Sequence, residues 1–143
     1  MIILIRTLLV IFIFQSFHLS ANAFNANDHR IAVLVNDQLI TSYEVVQRMK
    51  LSAILSGIDI TPENNNQLLN SVVDELIKEN LKKQKINEYD ISISEEEYFN
   101  QESLFYQNNP INKNDLIKIF ELNNIKYDEF KKYLINGISW QKL

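Results

Sequence analysis

The strongest constraint on the fold is a long helical periodicity in the middle of the sequence. Apolar residues recur there at steps of three and four positions over several turns: Leu68, Leu69, Val72, Val73, Leu76, Ile77 and Leu81. This spacing places them along one face of a helix, and such a face is stable in water only when other elements cover it. The sequence therefore predicts a central helix in a mostly α-helical fold.

A small β-hairpin is predicted before the helices. Residues 31–35 are rich in β-branched side chains, residues 38–40 continue the pattern, and Asn36 and Asp37 between them tolerate the positive φ of a tight turn. Thr41 followed three positions later by Glu44 is a capping box, which predicts that the first helix begins at Ser42. Gly57 suits the left-handed residue that ends this helix.

Four more helices are expected after Gly57, which gives about five packed helices in all. Thr61 and Pro62 predict the start of the central helix, because proline is well tolerated at the first helical position. Ser94 with Glu97 is predicted to cap the start of the third helix, and Pro110 to end it. Asn112 is predicted to cap the start of the fourth helix, and Asn123 with Asn124 to end it. The last helix is expected to run from about Tyr127 to Leu143.

The first 23 residues have the pattern of a secretory signal peptide. Arg6 precedes a short apolar run, and Ala21-Asn22-Ala23 matches a signal-peptidase site, which predicts cleavage between Ala23 and Phe24. An uncleaved anchor is the alternative, but the apolar run is well short of the roughly 20 residues that span a bilayer. We therefore expect an exported protein without a stable membrane anchor, with a disordered lead at 24–30 and one helical domain at 31–143.

Composition argues against most catalytic and cofactor-binding classes. The sequence has no cysteine, two histidines that both fall within the first 30 residues, and two glycines, too few for a phosphate-binding loop. Its net charge of −4, without a basic cluster, argues against a nucleic-acid partner. The acidic run Glu95–Glu97 is interpreted as a solvated helix start and not as a metal site. We expect no catalytic residue, no metal and no cofactor.

Aromatic side chains are unusually frequent in the last third of the chain. Most are expected to lie in the core, since large exposed apolar patches are uncommon on monomers. The remainder are candidates for lining a groove that holds extended peptides. The weak candidates for peptide binding are Met49, Phe99, Phe105, Tyr106, Phe120, Tyr133 and Trp140.

The order of these pieces resembles the N-terminal domain of the SurA-type periplasmic chaperones. The resemblance rests on the hairpin at 31–41, the helix with Leu68-Leu69-Asn70-Ser71-Val72-Val73, the start Ile91-Ser92-Ile93-Ser94-Glu95, and Ile138-Ser139-Trp140 near the end. It covers nearly all of residues 31–143. The resemblance implies an ATP-independent periplasmic holdase that binds unfolded outer-membrane proteins and assists their folding or delivery.

Family members usually continue into parvulin-type prolyl isomerase domains and a C-terminal helix that packs back on this domain. No isomerase segment lies within the 143 residues, so the resemblance does not imply an enzyme. Three alternatives stay open: a piece of a longer chaperone, an isomerase that is degenerate or depends on another subunit, and a dimeric interaction module. In the last case a second copy, or a helix from a partner, covers the apolar face.

Overall fold

The computed structural model describes residues 31–143, and the predicted signal peptide, cleavage site and lead lie outside them. Within this range the chain forms β1 (Ile31–Val35), β2 (Gln38–Thr41), α1 (Ser42–Ser56), α2 (Asn65–Glu88), α3 (Glu95–Asn108), α4 (Lys113–Leu122) and α5 (Tyr127–Lys142). The prediction of a small hairpin followed by about five helices is confirmed. No helix among the described residues is both long and apolar enough to cross a membrane.

The two strands pair antiparallel around a two-residue turn in which Asn36 has a positive φ of 53°. The pairing of Leu34 with Leu39 leaves both side chains on the exposed outer face of the hairpin. Val35 and Ile40 instead point inward and are buried. The hairpin therefore has one face on the core and one in solvent, as alternating strands allow.

The local signals for helix ends are mostly confirmed. Thr41 with Glu44 and Ser94 with Glu97 both form complete capping boxes. The side chain of Asn112 accepts a hydrogen bond from the backbone N–H of Asp115. At the other ends, Gly57 ends α1 with a φ of 64°, and Asn124 after α4 has a φ of 54°. Both values lie in the left-handed region that favours glycine and asparagine.

The start of the central helix differs from the prediction. Helix α2 begins at Asn65 and not at Pro62, because the side chain of Asn64 is used in the preceding turn. Its Oδ1 accepts a hydrogen bond from the Thr61 N–H at 2.9 Å, and its Nδ2 donates to the carbonyl of Asp59 at 2.8 Å. Asparagine side chains compete with helical hydrogen bonds in this way. The end also differs, because the sequence predicts a connector from Asn87 to Ile93, whereas α2 continues to Glu88.

The core consists of two clusters of buried side chains. The aliphatic cluster lies between the hairpin, α1 and α2 and contains Val35, Ile40, Val45, Met49, Val72 and Leu76. The aromatic cluster lies between α1, α3, α4 and α5 and contains Leu51, Tyr98, Leu116, Phe120, Ile125, Phe130 and Leu134. Helix α1 contributes to both clusters and connects them, while α5 packs against α1, α2 and α3.

Candidate functional site

Two open grooves border the contact between α2 and α5. The polar groove has a volume of about 460 Å³ and is lined mainly by charged and polar residues, among them Glu44, Lys83, Glu129 and Lys132. The Trp140 groove has a volume of about 380 Å³, and its walls include Lys82, Ile86, Tyr133, Leu134, Gly137 and Trp140. Glu79 and Asn136 line both grooves and so form their common boundary.

A buried arginine holds this boundary in place. The guanidinium of Arg48 donates through both terminal nitrogens to Glu79, and one of them also lies 3.1 Å from Glu75 Oε1. Burial alone would lower the pKa of Arg48, but the two carboxylates outweigh it and raise that pKa. Asn136 Nδ2 donates to Glu79 Oε2 at 3.3 Å, which connects α5 to the network. The charge of Glu79 is therefore already paired inside the protein.

The Trp140 groove combines an apolar base with a half-exposed aromatic wall. Ile86 and Leu134 are buried at 7% and 6% exposure, whereas Trp140 is 41% exposed. The Nζ of Lys82 lies 4.9 Å from the centroid of the Trp140 ring, within the range of a cation–π contact. Polar side chains, among them Gln101 and Gln141, also line the groove, and apolar surface combined with polar groups is common in ligand-binding sites.

At Gly137 one wall of this groove is formed by helix backbone that no side chain covers. This glycine lies inside α5, where glycine is about 0.5–1 kcal/mol less favourable than alanine. A Cβ at this position would have no atom within 4 Å, so packing within the described chain does not require glycine here. Glycine does permit close approach of another chain to the helix backbone. This feature favours a groove that accommodates a ligand.

A second polar cluster lies inside the aromatic cluster and has a structural role. The carboxylate of Glu102 accepts hydrogen bonds from Tyr98 Oη at 2.6 Å, Tyr127 Oη at 2.5 Å and Lys113 Nζ at 2.9 Å. Burial opposes its ionisation, but these three donors outweigh burial and keep the pKa of Glu102 below its ordinary value. Burial and the same carboxylate raise the pKa of Tyr98 and of Tyr127. The cluster ties α3 to α4 and α5.

An ion pair attaches the C-terminal end of α5 to the rest of the domain. Lys142 Nζ lies 2.7 Å from the Glu97 carboxylate and donates to the carbonyl of Ser92 at 3.0 Å. The bond from Lys142, together with the backbone N–H of Ser94, lowers the pKa of Glu97 to about 2. The C-terminal end of α5 is thereby attached to the start of α3. Among the described residues, no group of three or more acidic or histidine side chains is arranged to hold a metal ion.

The seven predicted peptide-binding residues are not brought together. Tyr133 and Trp140 line the Trp140 groove, and Phe99, 55% exposed, lies on α3 beside Tyr98. Phe105 and Tyr106 are half-buried against the aromatic cluster. Met49 and Phe120 are buried at 8% and 1% exposure, so in this structure their side chains belong to the cores and do not reach a surface groove. The peptide-binding role of all seven stays a prediction.

Sequence reasoning predicted only Tyr133 and Trp140 among the residues that line the groove, and the missed residues include Lys82, Ile86 and Gly137. Lys82 belongs to a basic pair typical of a solvated face, and nothing in its local sequence relates it to Trp140. Ile86 lies beyond Leu81, the last apolar residue of the predicted helix face, and directly before the predicted connector. The unusual position of Gly137 inside a periodic helix was the one available signal.

The fold is a mostly helical domain with grooves at its surface, and comparison with known proteins identifies its family. The family described as the SurA-like N-terminal domain matches residues 1–143. The chain therefore belongs to the SurA-like N-terminal domain family, and the resemblance noted from the sequence is confirmed.

Two curated proteins are similar to parts of this chain. Chaperone SurA of Hydrogenovibrio crunogenus is 29% identical over 118 residues, which cover 80% of this chain and 26% of that protein. DNA polymerase III PolC-type of Ureaplasma parvum is 30% identical over 112 residues, which cover 70% of this chain and 8% of the polymerase. The chain thus spans about a quarter of the chaperone and under a tenth of the polymerase, too little to transfer either whole activity. No solved structure matches it.

Proposed function

We propose that residues 31–143 form an ATP-independent chaperone domain that binds unfolded polypeptides in the Trp140 groove. The clients in this proposal are unfolded outer-membrane proteins, which the domain shelters in the periplasm and assists in folding or delivery. The domain acts as a binding module and not as an enzyme. The proposal rests on one observation, an apolar groove with open helix backbone at Gly137 in a member of the SurA-like family.

The groove suits passive and reversible binding. An apolar client side chain placed against Ile86, Leu134 and Trp140 is stabilised by about 25 cal/mol for each Å² of apolar surface removed from water. A groove of about 380 Å³ accommodates only a few side chains, so each contact is weak and the client is released without an energy source. Such a site requires apolar character in its ligand and little sequence information.

The periplasmic location depends on the predicted signal peptide, with cleavage between Ala23 and Phe24. N-terminal sequencing of the protein recovered from the periplasmic fraction tests it. A mature chain beginning at Phe24 agrees with the prediction. Retention of Met1 in a membrane fraction would favour the anchored alternative instead.

The chaperone activity is tested by aggregation of a denatured outer-membrane protein. We expect the mature chain to slow the rise in light scattering after dilution from urea, and Gly137→Leu to abolish most of this effect by filling the groove. Gly137→Ala adds one methyl group at the same position and should have a smaller effect, because it covers the helix backbone but leaves most of the groove open. Circular dichroism verifies that both variants are folded. Equal protection by Gly137→Leu and the wild type would exclude the Trp140 groove as the client-binding site. No protection by the wild type would exclude the chaperone function.

A homodimeric interaction module without chaperone activity is the second candidate. It is favoured by the outer face of the hairpin, where Leu34 and Leu39 pair directly and are 62% and 52% exposed. Exposed apolar pairs of this kind are common at protein interfaces. Light scattering of the mature chain distinguishes the candidates. A dimer that Leu39→Lys converts to a monomer, combined with no protection of clients, would favour this module.

A further inference from the structure

We propose that the Trp140 groove prefers client segments in which a large apolar side chain is adjacent to a carboxylate, and that Lys82 recognises that carboxylate. This inference rests on the proposed function and specifies the class of segment that the groove binds. The partner is identified by chemistry alone: an apolar group for the base of the groove and a negative charge for its edge.

The charges that line the groove are the first support. Among residues 31–143, those that line the groove and carry a charge are Lys82 and Glu79. Glu79 binds Arg48, which also binds Glu75, and Glu79 accepts a hydrogen bond from Asn136, so its carboxylate is already engaged within the protein. Lys82 has the ring of Trp140 as its contact, and no salt bridge joins it to a carboxylate within residues 31–143. Lys82 is therefore the charged side chain of this groove that is available to a ligand.

Three other lysines of the described chain have different surroundings from Lys82, and Lys131, which lies 4.9 Å from the Tyr98 ring in a similar contact, does not line the Trp140 groove. Lys83, the next residue, lines the polar groove together with Glu44, Glu79 and Glu129. Lys142 pairs with Glu97, and Lys113 pairs with Glu102. Because the whole chain carries a net charge of −4, a positive site beside an apolar base is a local exception on an acidic protein. Acidic segments are attracted to that site and repelled by most of the remaining surface.

The position of Lys82 supports simultaneous contact with both parts of the segment. Its Nζ lies 4.9 Å from the Trp140 centroid, so the charge and the aromatic wall are adjacent. A client side chain that packs on Trp140 brings the next residue of the client close to this ammonium. The lysine ammonium is a compact charge with three rotatable N–H donors, so it can donate to a carboxylate that approaches from several directions. A side-chain carboxylate and a C-terminal carboxylate share this chemistry.

Trp140 is the only tryptophan of the chain, so its fluorescence reports on this groove. The probes are three tryptophan-free peptides with a central Phe: one with Glu after it, one with Gln after it, and one that ends at Phe with a free carboxylate. The first two are acetylated and amidated. We expect the Glu peptide to bind about two- to fivefold more tightly than the Gln peptide at low salt, as for exposed ion pairs. The difference should vanish in about 1 M salt, where charges are screened within about 3 Å.

Variants of the two neighbouring lysines make the test specific. In Lys82→Gln the affinity ratio of the Glu and Gln peptides falls to about one, whereas Lys82→Arg and the matched control Lys83→Gln retain the wild-type ratio. Tighter binding of the Glu peptide or of the free-carboxylate peptide supports the inference and identifies the source of the charge. Equal affinities of the wild type for all three peptides, or equal losses of the ratio in Lys82→Gln and Lys83→Gln, would overturn it.

The aggregation assay separates this inference from the proposed function. If the wild type protects a client but shows no preference among the peptides, only the recognition of carboxylates by Lys82 is wrong. If the wild type neither protects a client nor binds any of the three peptides, the chaperone function itself is wrong.

Discussion

The aliphatic cluster beneath the hairpin lies at the contact of α1 and α2, where the buried charged group is the guanidinium of Arg48 paired with Glu79. In the aromatic cluster between α3, α4 and α5, the buried charged group is the carboxylate of Glu102. Tyrosine makes the second arrangement possible, because its ring packs in the core and its hydroxyl donates to the carboxylate. Ring contacts centred on Phe130, at 4.8 Å to Phe105 and 5.5 Å to Tyr127, surround this polar group.

The two clusters also differ in what they leave at the surface. On the aliphatic side, the central helix and the hairpin cover one another along their inward faces. On the aromatic side, α5 contributes Phe130 and Leu134 to the core and presents Gly137 and Trp140 to the groove. The comparison shows that one helix with apolar residues on several faces can both close a core and form a binding surface.

The largest effect is expected from loss of the central ring of the aromatic cluster. Phe130 is fully buried, so Phe130→Ala should lower the free energy of unfolding by about 3–5 kcal/mol through lost burial and the cavity left behind. Urea denaturation measures the change. Leu122→Ala is the control, since Leu122 is 83% exposed and its loss should change stability by under about 0.5 kcal/mol. Similar losses for both variants would mean that Phe130 is not central to this core.

A change in the aliphatic cluster tests whether the two clusters unfold together. Ile40→Ala should lower the free energy of unfolding by about 2–5 kcal/mol. Because α1 provides Val45 and Met49 to one cluster and Leu51 to the other, we expect one cooperative transition. The unfolding curve from Trp140 fluorescence, which reports on the aromatic side, should therefore coincide with the curve from circular dichroism. Separate midpoints would show that the clusters are independent.

The buried carboxylate predicts a pH-dependent difference between the clusters. Glu102→Gln should lower the free energy of unfolding by about 1–3 kcal/mol at neutral pH, because it weakens hydrogen bonds to a charged acceptor. The folded-state pKa of Glu102 is lowered from 4.5, so its contribution is present above that value and is lost as pH falls below it. The gap between wild type and variant should therefore narrow below about pH 4.5.

Thermal denaturation across this pH range measures that gap. Glu121→Gln on the surface of α4 is the control, and its difference from the wild type should stay small throughout. A gap for Glu102→Gln that remains constant from pH 7 to about pH 3 would contradict the assignment.

The smallest expected effects come from the two glycines, which have opposite roles. Gly137→Ala should raise the free energy of unfolding by about 0.5–1 kcal/mol, since alanine favours the helix and nothing lies within 4 Å of the new Cβ. Gly57→Ala should lower it by about 1 kcal/mol, because the φ of 64° is strained for alanine. Urea denaturation of both variants measures the signs. A loss of stability in Gly137→Ala would mean that the backbone at this position has another structural function.

Much of the fold follows from short-range chemistry. Thr41 with Glu44, Ser94 with Glu97, and Gly57 each act within a few residues, so the predicted helix ends match the structure. The predicted start of α2 was wrong because the side chain of Asn64 forms hydrogen bonds with the backbone of Asp59 and Thr61. These bonds compete with the first turn of the helix. Neighbouring residues alone do not show which of them prevails.

The sequence by itself determined the mostly helical fold, the hairpin and the caps, because periodicity and capping depend on residues close together along the chain. Only the tertiary structure decided that Phe120 is buried while Trp140 is half-exposed, since both occur at helical spacing and the neighbouring helices select the covered face. The tertiary structure alone also brought Lys82 of α2 to Trp140 of α5. A groove between two helices depends on how they pack, and packing is a property of the whole fold.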